Sequence, residues 1–214
     1  MIKKIAMCVA FASSSMAMQG VLAAGGNAVA GKTKSELCQS CHGENGLSVN
    51  PECPNLAGQK PGYIYKQVTD FQKSLRNNDT MSPMAGMVTD MQDLKDIAAY
   101  FSSQKSMSQK DGGFGKSSGE KKKLEAGKKL FMEGNNDSGV YGCVNCHGAD
   151  GRGKDASNQI FPIIGGQTKD YLVKQLMDLK AGTRTNDPAG MMGDIAKKLS
   201  EKEIDEVADY LSSM

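Results

Sequence analysis

The stretch "ELCQSCHGENG" at residues 36–46 returns as "YGCVNCHGADG" at residues 141–151, and the two segments together hold both histidines of the 214-residue chain and four of its six cysteines. In each, two thiols stand three positions apart and an imidazole follows directly: Cys38, Cys41 and His42, then Cys143, Cys146 and His147. On a helix that spacing brings both sulfurs onto one turn with a nitrogen ligand beside them.

That arrangement is what covalent attachment of a c-type haem requires. Two thiols on one turn reach the two vinyl groups at a porphyrin edge, and the adjacent imidazole turns under the ring to bind iron. Zinc held by four thiolates is a rival reading, but each pair carries its own histidine and the pairs fall in separate segments. A dithiol redox motif does not need the histidine, and a disulfide inside Cys-x-x-Cys is strained and closes a very short loop.

The duplication extends well beyond the motifs. "GQKPGYIYKQVTDFQKSLRNND" matches "GQTKDYLVKQLMDLKAGTRTND" at an offset of 108, pairing Tyr63 with Tyr171, Gln67 with Gln175 and Arg76 with Arg184. The cysteine motifs repeat at an offset of 105, so three residues are inserted between motif and helix in the second copy, and "KDIAAYFSSQ" returns as "DEVADYLSSM" at an offset of 110. The helical periodicity predicts an all-α fold. Ile64, Val68, Phe71 and Leu75 form one apolar face, matched by Leu172, Leu176 and Leu179; Leu94, Ile97 and Phe101 form another, matched by Ile204, Val207 and Leu211. Thr89 with Gln92, and Ser200 with Glu203, have capping-box spacing at the start of the last helix of each copy.

Lys3 and Lys4, a short apolar run broken by Ser13–Ser15, and small residues ending at Ala23 read as a secretory signal peptide. Removing it takes Cys8 away, and subtracting Lys3 and Lys4 from the 26 basic residues leaves them balanced against the 24 acidic ones. Such a chain offers no basic surface for nucleic acid and, in its mature part, no membrane-spanning stretch. The expected organisation is a signal peptide over 1–23, a first haem domain over 24–105, a Ser/Gly/Lys-rich linker over 106–119 and a second haem domain over 120–214. The exported location implied is the periplasm.

With His42 and His147 the only histidines, the second iron ligand in each half falls to methionine. Counting back eight residues from the caps at Thr89 and Ser200 reaches Met81 and Met192, with Met84, Met87 and Met191 nearby as competitors. Pro54 and Pro162 are placed to offer a carbonyl to the other ring nitrogen of each histidine, or simply to form a turn. Arg76 and Arg184 read either as solvated helix ends or as partners of haem propionates. Cys53 reads as a small apolar residue.

"CQSCHGENG", "PNLAGQ", "MSPMAGM", "DIAAYFSSQ", "CVNCHGADG", "GGQTKDYLVKQL", "RTNDPAGMM" and "KEIDEVADYL", in this order, resemble the di-haem cytochrome c4 proteins over nearly the whole mature chain. The resemblance implies two tandem cytochrome c-like helical domains packed face to face about a pseudo-twofold axis, each around one covalent haem c. It implies the ligand pairs His42 with Met81 and His147 with Met192. It also implies a one-electron carrier serving membrane-bound respiratory complexes, such as a terminal oxidase or a quinol-oxidising complex, or other redox proteins. Two departures stand out: "VTDMQDL" carries an extra residue before the last helix of the first copy, and Cys53 stands where an aromatic residue is common. The alternatives are a haem subunit of a sulfur-compound dehydrogenase and a di-haem peroxidase-like enzyme. The peroxidase-like reading lacks a third histidine to serve as general base.

Overall fold

The computed structural model describes residues 25–105 and 121–214; the signal-peptide reading of 1–23 and the linker reading of 106–119 lie outside them. Helices dominate, as the periodicity predicts. The first half holds α1 (Ala28–Lys34), α2 (Glu36–His42), α3 (Pro61–Gln72), α4 (Met81–Gly86) and α5 (Met91–Ser103). The second holds α6 (Lys121–Glu133), α7 (Val144–His147), α8 (Lys169–Ala181), α9 (Met191–Lys198) and α10 (Glu201–Ser212). It adds a minimal hairpin between α6 and α7, β1 (Gly134–Asn135) paired antiparallel with β2 (Val140–Tyr141). No described helix is long and apolar enough to cross a membrane.

In each half the first helix crosses the last at a glycine. A Cβ on Gly31 would lie 2.0 Å from the Asp96 carbonyl oxygen on α5, and one on Gly127 would lie 2.0 Å from the Glu206 carbonyl oxygen on α10. Backbones that close leave no room for a methyl group. Behind these crossings lie small cores: Ile64, Ile97, Ala98, Tyr100 and Phe101 in the first half, and Leu130, Phe131, Val140, Leu172, Leu199, Ile204, Val207, Ala208 and Leu211 in the second. The apolar stripes of the last helices are therefore core, as their spacing predicts.

Two local expectations change. Ser200 makes the full capping box with Glu203, but α5 is capped by Asp90, whose side chain accepts from the Gln92 and Asp93 amides, rather than by Thr89. The extra residue of "VTDMQDL" is absorbed in that step, because an aspartate one position later is a better acceptor for the free N–H groups. Leu75 does not continue the face of α3 and is exposed. The helix stops at Gln72, Ser74 takes a left-handed conformation (φ 56°), and the Leu75 and Arg76 amides fold back onto the Asp70 carbonyl. The second copy makes the same turn with Gly182 (φ 75°) at that position, the Thr183 and Arg184 amides returning to Asp178. The turn carries Arg76 and Arg184 inward.

The halves meet through reciprocal bonds. Gln59 donates to the Ile163 carbonyl (2.8 Å) and accepts from the Ile163 amide (2.9 Å), while Gln167 donates to the Asn55 carbonyl (3.0 Å) and accepts from the Asn55 amide (2.7 Å). At the repeat offset of 108, Gln59 corresponds to Gln167 and Asn55 to Ile163. Each copy thus does to the other what the other does to it, the signature of a twofold interface.

Two outcomes are expected. Gln167→Leu and Gln59→Leu each orphan a buried amide and carbonyl, and each should lower stability in denaturant unfolding by about 1–3 kcal/mol, the cost of leaving such groups unpaired. Asp96 is bonded by the Asn27 amide, Lys34 and Gln92, which bring its carboxyl down to about 2 from an ordinary 3.8, the Asn27 amide contributing most. A folded-state pKa below the unfolded one adds stability that is complete above the ordinary value and lost as pH falls through the depressed one. The melting temperature should therefore drop over that acid window, and less steeply in Asp96→Asn.

Candidate haem-binding sites

Each Cys-x-x-Cys-His segment ends a short helix. Cys38, Cys41 and His42 lie on α2, while Cys143 caps α7 and Cys146 and His147 lie within it. The first thiol of each pair, Cys38 or Cys143, packs against the core of its half; Cys41 is half-buried and Cys146 exposed. None of the four is joined to another cysteine, and burial pushes the unattached Cys38 thiol up and that of Cys143 up to about 11. They do not converge: among the described residues no three or more His, Cys, Asp or Glu side chains gather as a metal cluster. The four-thiolate zinc reading therefore has no geometry to support it.

The histidines are the last residues of these helices, followed by Gly43 (φ 81°) and Gly148 (φ 73°), a backbone region open to glycine at little cost. The chain reverses there and returns beneath the ring. His42 Nδ1 lies 2.9 Å from the Pro54 carbonyl oxygen, and His147 Nδ1 lies 3.2 Å from that of Pro162. A carbonyl only accepts, so Nδ1 carries the proton and Nε2 keeps its lone pair. Both rings are buried, and burial holds both below the ordinary imidazole value. No described residue bonds either Nε2. A neutral, oriented imidazole with an uncommitted lone pair is what an iron ligand requires.

Met81 opens α4, its amide bonded to Asn78 Oδ1 (2.8 Å); Met192 sits at the second position of α9, its amide bonded to Asp187 Oδ2 (2.8 Å). Both are half-buried, as is Met84, whereas Met87 and Met191 are exposed. Each candidate backbone is thus pinned by the Asn-Asp stretch before it, "NND" or "TND". Cys53 is half-buried, its thiol pushed up by burial and then by neighbouring Cys41.

Arg76 and Arg184 are not solvated helix ends. Arg76 donates to Gln67 (2.5 Å), to Gln175 (2.6 Å) and to the Tyr171 hydroxyl (3.2 Å), and its guanidinium lies 4.7 Å from the Phe71 ring centroid. Arg184 answers with bonds to Gln175 (2.9 Å) and the Tyr63 hydroxyl (3.2 Å). Burial pushes the Tyr171 hydroxyl up, yet the two guanidiniums more than offset it and the net shift is down. Neither guanidinium meets a carboxylate at ion-pair distance among the described residues. Two cations sunk in an interface among neutral partners suit a cofactor that brings carboxylates of its own. Helical periodicity did not reveal this network, although the matched Tyr, Gln and Arg of the two repeats were its visible trace.

The residues thus fit two covalently held porphyrins on donor set, tautomer and charge. Comparison with known proteins agrees. The family model described as cytochrome c matches twice, over residues 26–105 and 124–214. Cytochrome c4 of Pseudomonas aeruginosa is 38% identical over 203 residues, covering 93% of this chain and 94% of the relative. The solved structure of reduced recombinant cytochrome c4 from Pseudomonas stutzeri superposes with a TM-score of 0.79 at 37% identity, covering 88% of this chain and 99% of that one. A protein of Stutzerimonas stutzeri described as a thiosulfate dehydrogenase electron acceptor is 34% identical over 179 residues, covering 83% of this chain and 78% of the relative.

Proposed function

The chain belongs to the cytochrome c family as a cytochrome c4, a carrier of electrons with two covalent haem c groups rather than an enzyme, and on that premise we propose a residue-level assignment of its sites and a place for it in a respiratory chain. Cys38 and Cys41 hold the first haem and Cys143 and Cys146 the second, in domains spanning 24–105 and 120–214 joined by the 106–119 linker. His42 with Met81, and His147 with Met192, would hold the two irons. The single observation that carries this is the pair of buried imidazoles fixed through Nδ1 on Pro54 and Pro162.

Haem, when bound, supplies an iron that exchanges one electron between ferric and ferrous states. The chain's own residues do the rest. His42 and His147 present Nε2 without reorientation, because their rings are already locked. Met81 and Met192 offer thioether sulfur, a ligand that favours the reduced state, from backbones tied to Asn78 and Asp187. Arg76 and Arg184 would offer the carboxylates of the bound groups a positive charge at the interface. Held by a histidine and a methionine of the chain, each iron would have no protein-free position for a substrate, as befits a carrier.

The signal-peptide pattern supports export to the periplasm. There the carrier would pass electrons to or between membrane-bound complexes, such as a quinol-oxidising complex and a terminal oxidase, or exchange them with other redox proteins. The likeness to the thiosulfate dehydrogenase electron acceptor favours a second reading of the donor, in which a thiosulfate-oxidising enzyme loads the carrier.

The ligand assignment is tested by the far-red absorption band of methionine-bound ferric haem. Met81→Ala and Met192→Ala should each remove one haem's share of it, and Met84→Ala should leave it whole. The full band surviving in either of the first two variants rejects that ligand.

A further inference from the structure

The twofold correspondence between the halves breaks at several places, and one of them is a buried charge beside the second haem-attaching segment. Lys60, at the start of α3 in the first half, is only 7% exposed and reaches into the second half, where Nζ donates to the backbone carbonyls of Asp155 (3.2 Å) and Asn158 (2.7 Å). Its counterpart at the offset of 108 is Thr168, which is buried and neutral. Nothing charged is returned to the first half at that position.

The ammonium ends beside the haem-attaching segment of the second half. It lines a small cavity with Cys146, Lys154, Asp155, Asn158 and Phe161. It also lies against Gly153, where a Cβ would stand 2.6 Å from Nζ, and the Gly153 amide is bonded to the carbonyl of His147 at 2.6 Å. The Asp155 carboxylate, the acid nearest in sequence to these contacts, is engaged by the Ser157 amide (2.8 Å) and hydroxyl (2.7 Å), and Lys60 forms no ion pair at contact distance with any described carboxylate. In the first half the corresponding loop is closed by its own neutral side chain: Ser48 Oγ donates to the Asn50 carbonyl (2.7 Å) and sits 3.1 Å from that of Cys41.

Reducing a ferric site adds one negative charge. A fixed positive charge nearby, in a medium less polar than water, stabilises the reduced form. We propose that Lys60 is a positioning charge lent by the first half to the second, which selectively raises the affinity of the Cys146–His147 haem site for the electron. The inference rests on the assignment of His42 and His147 as iron ligands. Lys60 adds to the second site a buried charge that the first lacks, and that difference depends on the halves being docked, because the charge arrives only across the interface. Burial lowers the Lys60 pKa, while Asp155 partly restores it and the two carbonyls accept from the ammonium.

The test uses the full-length, two-haem protein. The midpoint of each haem is followed by NMR-monitored redox titration, the two sets of resonances being assigned from the single variants Met81→His and Met192→His. Lys60→Gln should lower the midpoint of the second haem and leave the first in place, and Lys60→Arg should restore most of the loss. The proposal is overturned if neither midpoint moves, if both fall together as a loosened interface would cause, or if arginine behaves like glutamine. A wild-type protein without two haem-linked midpoints would instead refute the site assignment, so the two failures are distinguishable.

Discussion

The hydrogen bond from each histidine Nδ1 to a proline carbonyl is the constraint from which the rest of the structure extends. It needs a helix that ends on the histidine, a glycine that reverses the chain, and a loop that returns a backbone oxygen beneath the ring. His42 reaches Pro54 across 12 positions and His147 reaches Pro162 across 15, so the three inserted residues of the second copy are taken up by the loop and the bond is kept. The segments that supply these carbonyls, "PNLAGQ" and "PIIGGQ", go on to build the interface: Asn55 and Gln59 on one side answer Ile163 and Gln167 on the other. The orientation of the two imidazoles and the docking of the halves are therefore consequences of a single stretch of backbone. A displacement of that stretch would disturb both.

Much of this was legible in the residues because each signal was local. Two thiols and an imidazole at fixed spacing specify an attachment turn, apolar positions at helical period specify a buried face, and Ser200 with Glu203 specifies a helix start. What could not be read was non-local. Gly31 and Gly127 look like poor helix residues until the Asp96 and Glu206 carbonyls are placed against them. Arg76 and Arg184 follow a polar turn, and nothing in a single-chain pattern says that a second copy of the same turn will bury them. The alternation of polar and apolar residues measures exposure to water within one unit; it does not distinguish water from a polar neighbour supplied by duplication. Thr89 and Asp90 show the remaining kind of difference, where two residues able to cap stand side by side and the stronger acceptor takes the position.

Duplication also shows where the copies were free to diverge. The turn after α3 uses Ser74 in a left-handed conformation and its counterpart uses Gly182, so the same geometry is reached at different conformational cost. The hairpin of β1 and β2 occurs in the second half only among the described residues. Between Lys60 and Thr168 the divergence changes charge as well as shape. Symmetric contacts hold the halves in register, and asymmetric ones set the two halves apart electrically.

The clasp between the halves joins side-chain amides to backbone groups, guanidiniums to hydroxyl and amide oxygens, and the Lys60 and Lys66 ammoniums to backbone carbonyls. Mobile ions screen attraction between separated exposed charges but have little hold on short, buried dipolar contacts. Raising the ionic strength would therefore leave the two halves docked at the same spacing, whatever it does to contacts made through exposed charge. Internal electron exchange and external delivery would then respond to the surrounding medium independently.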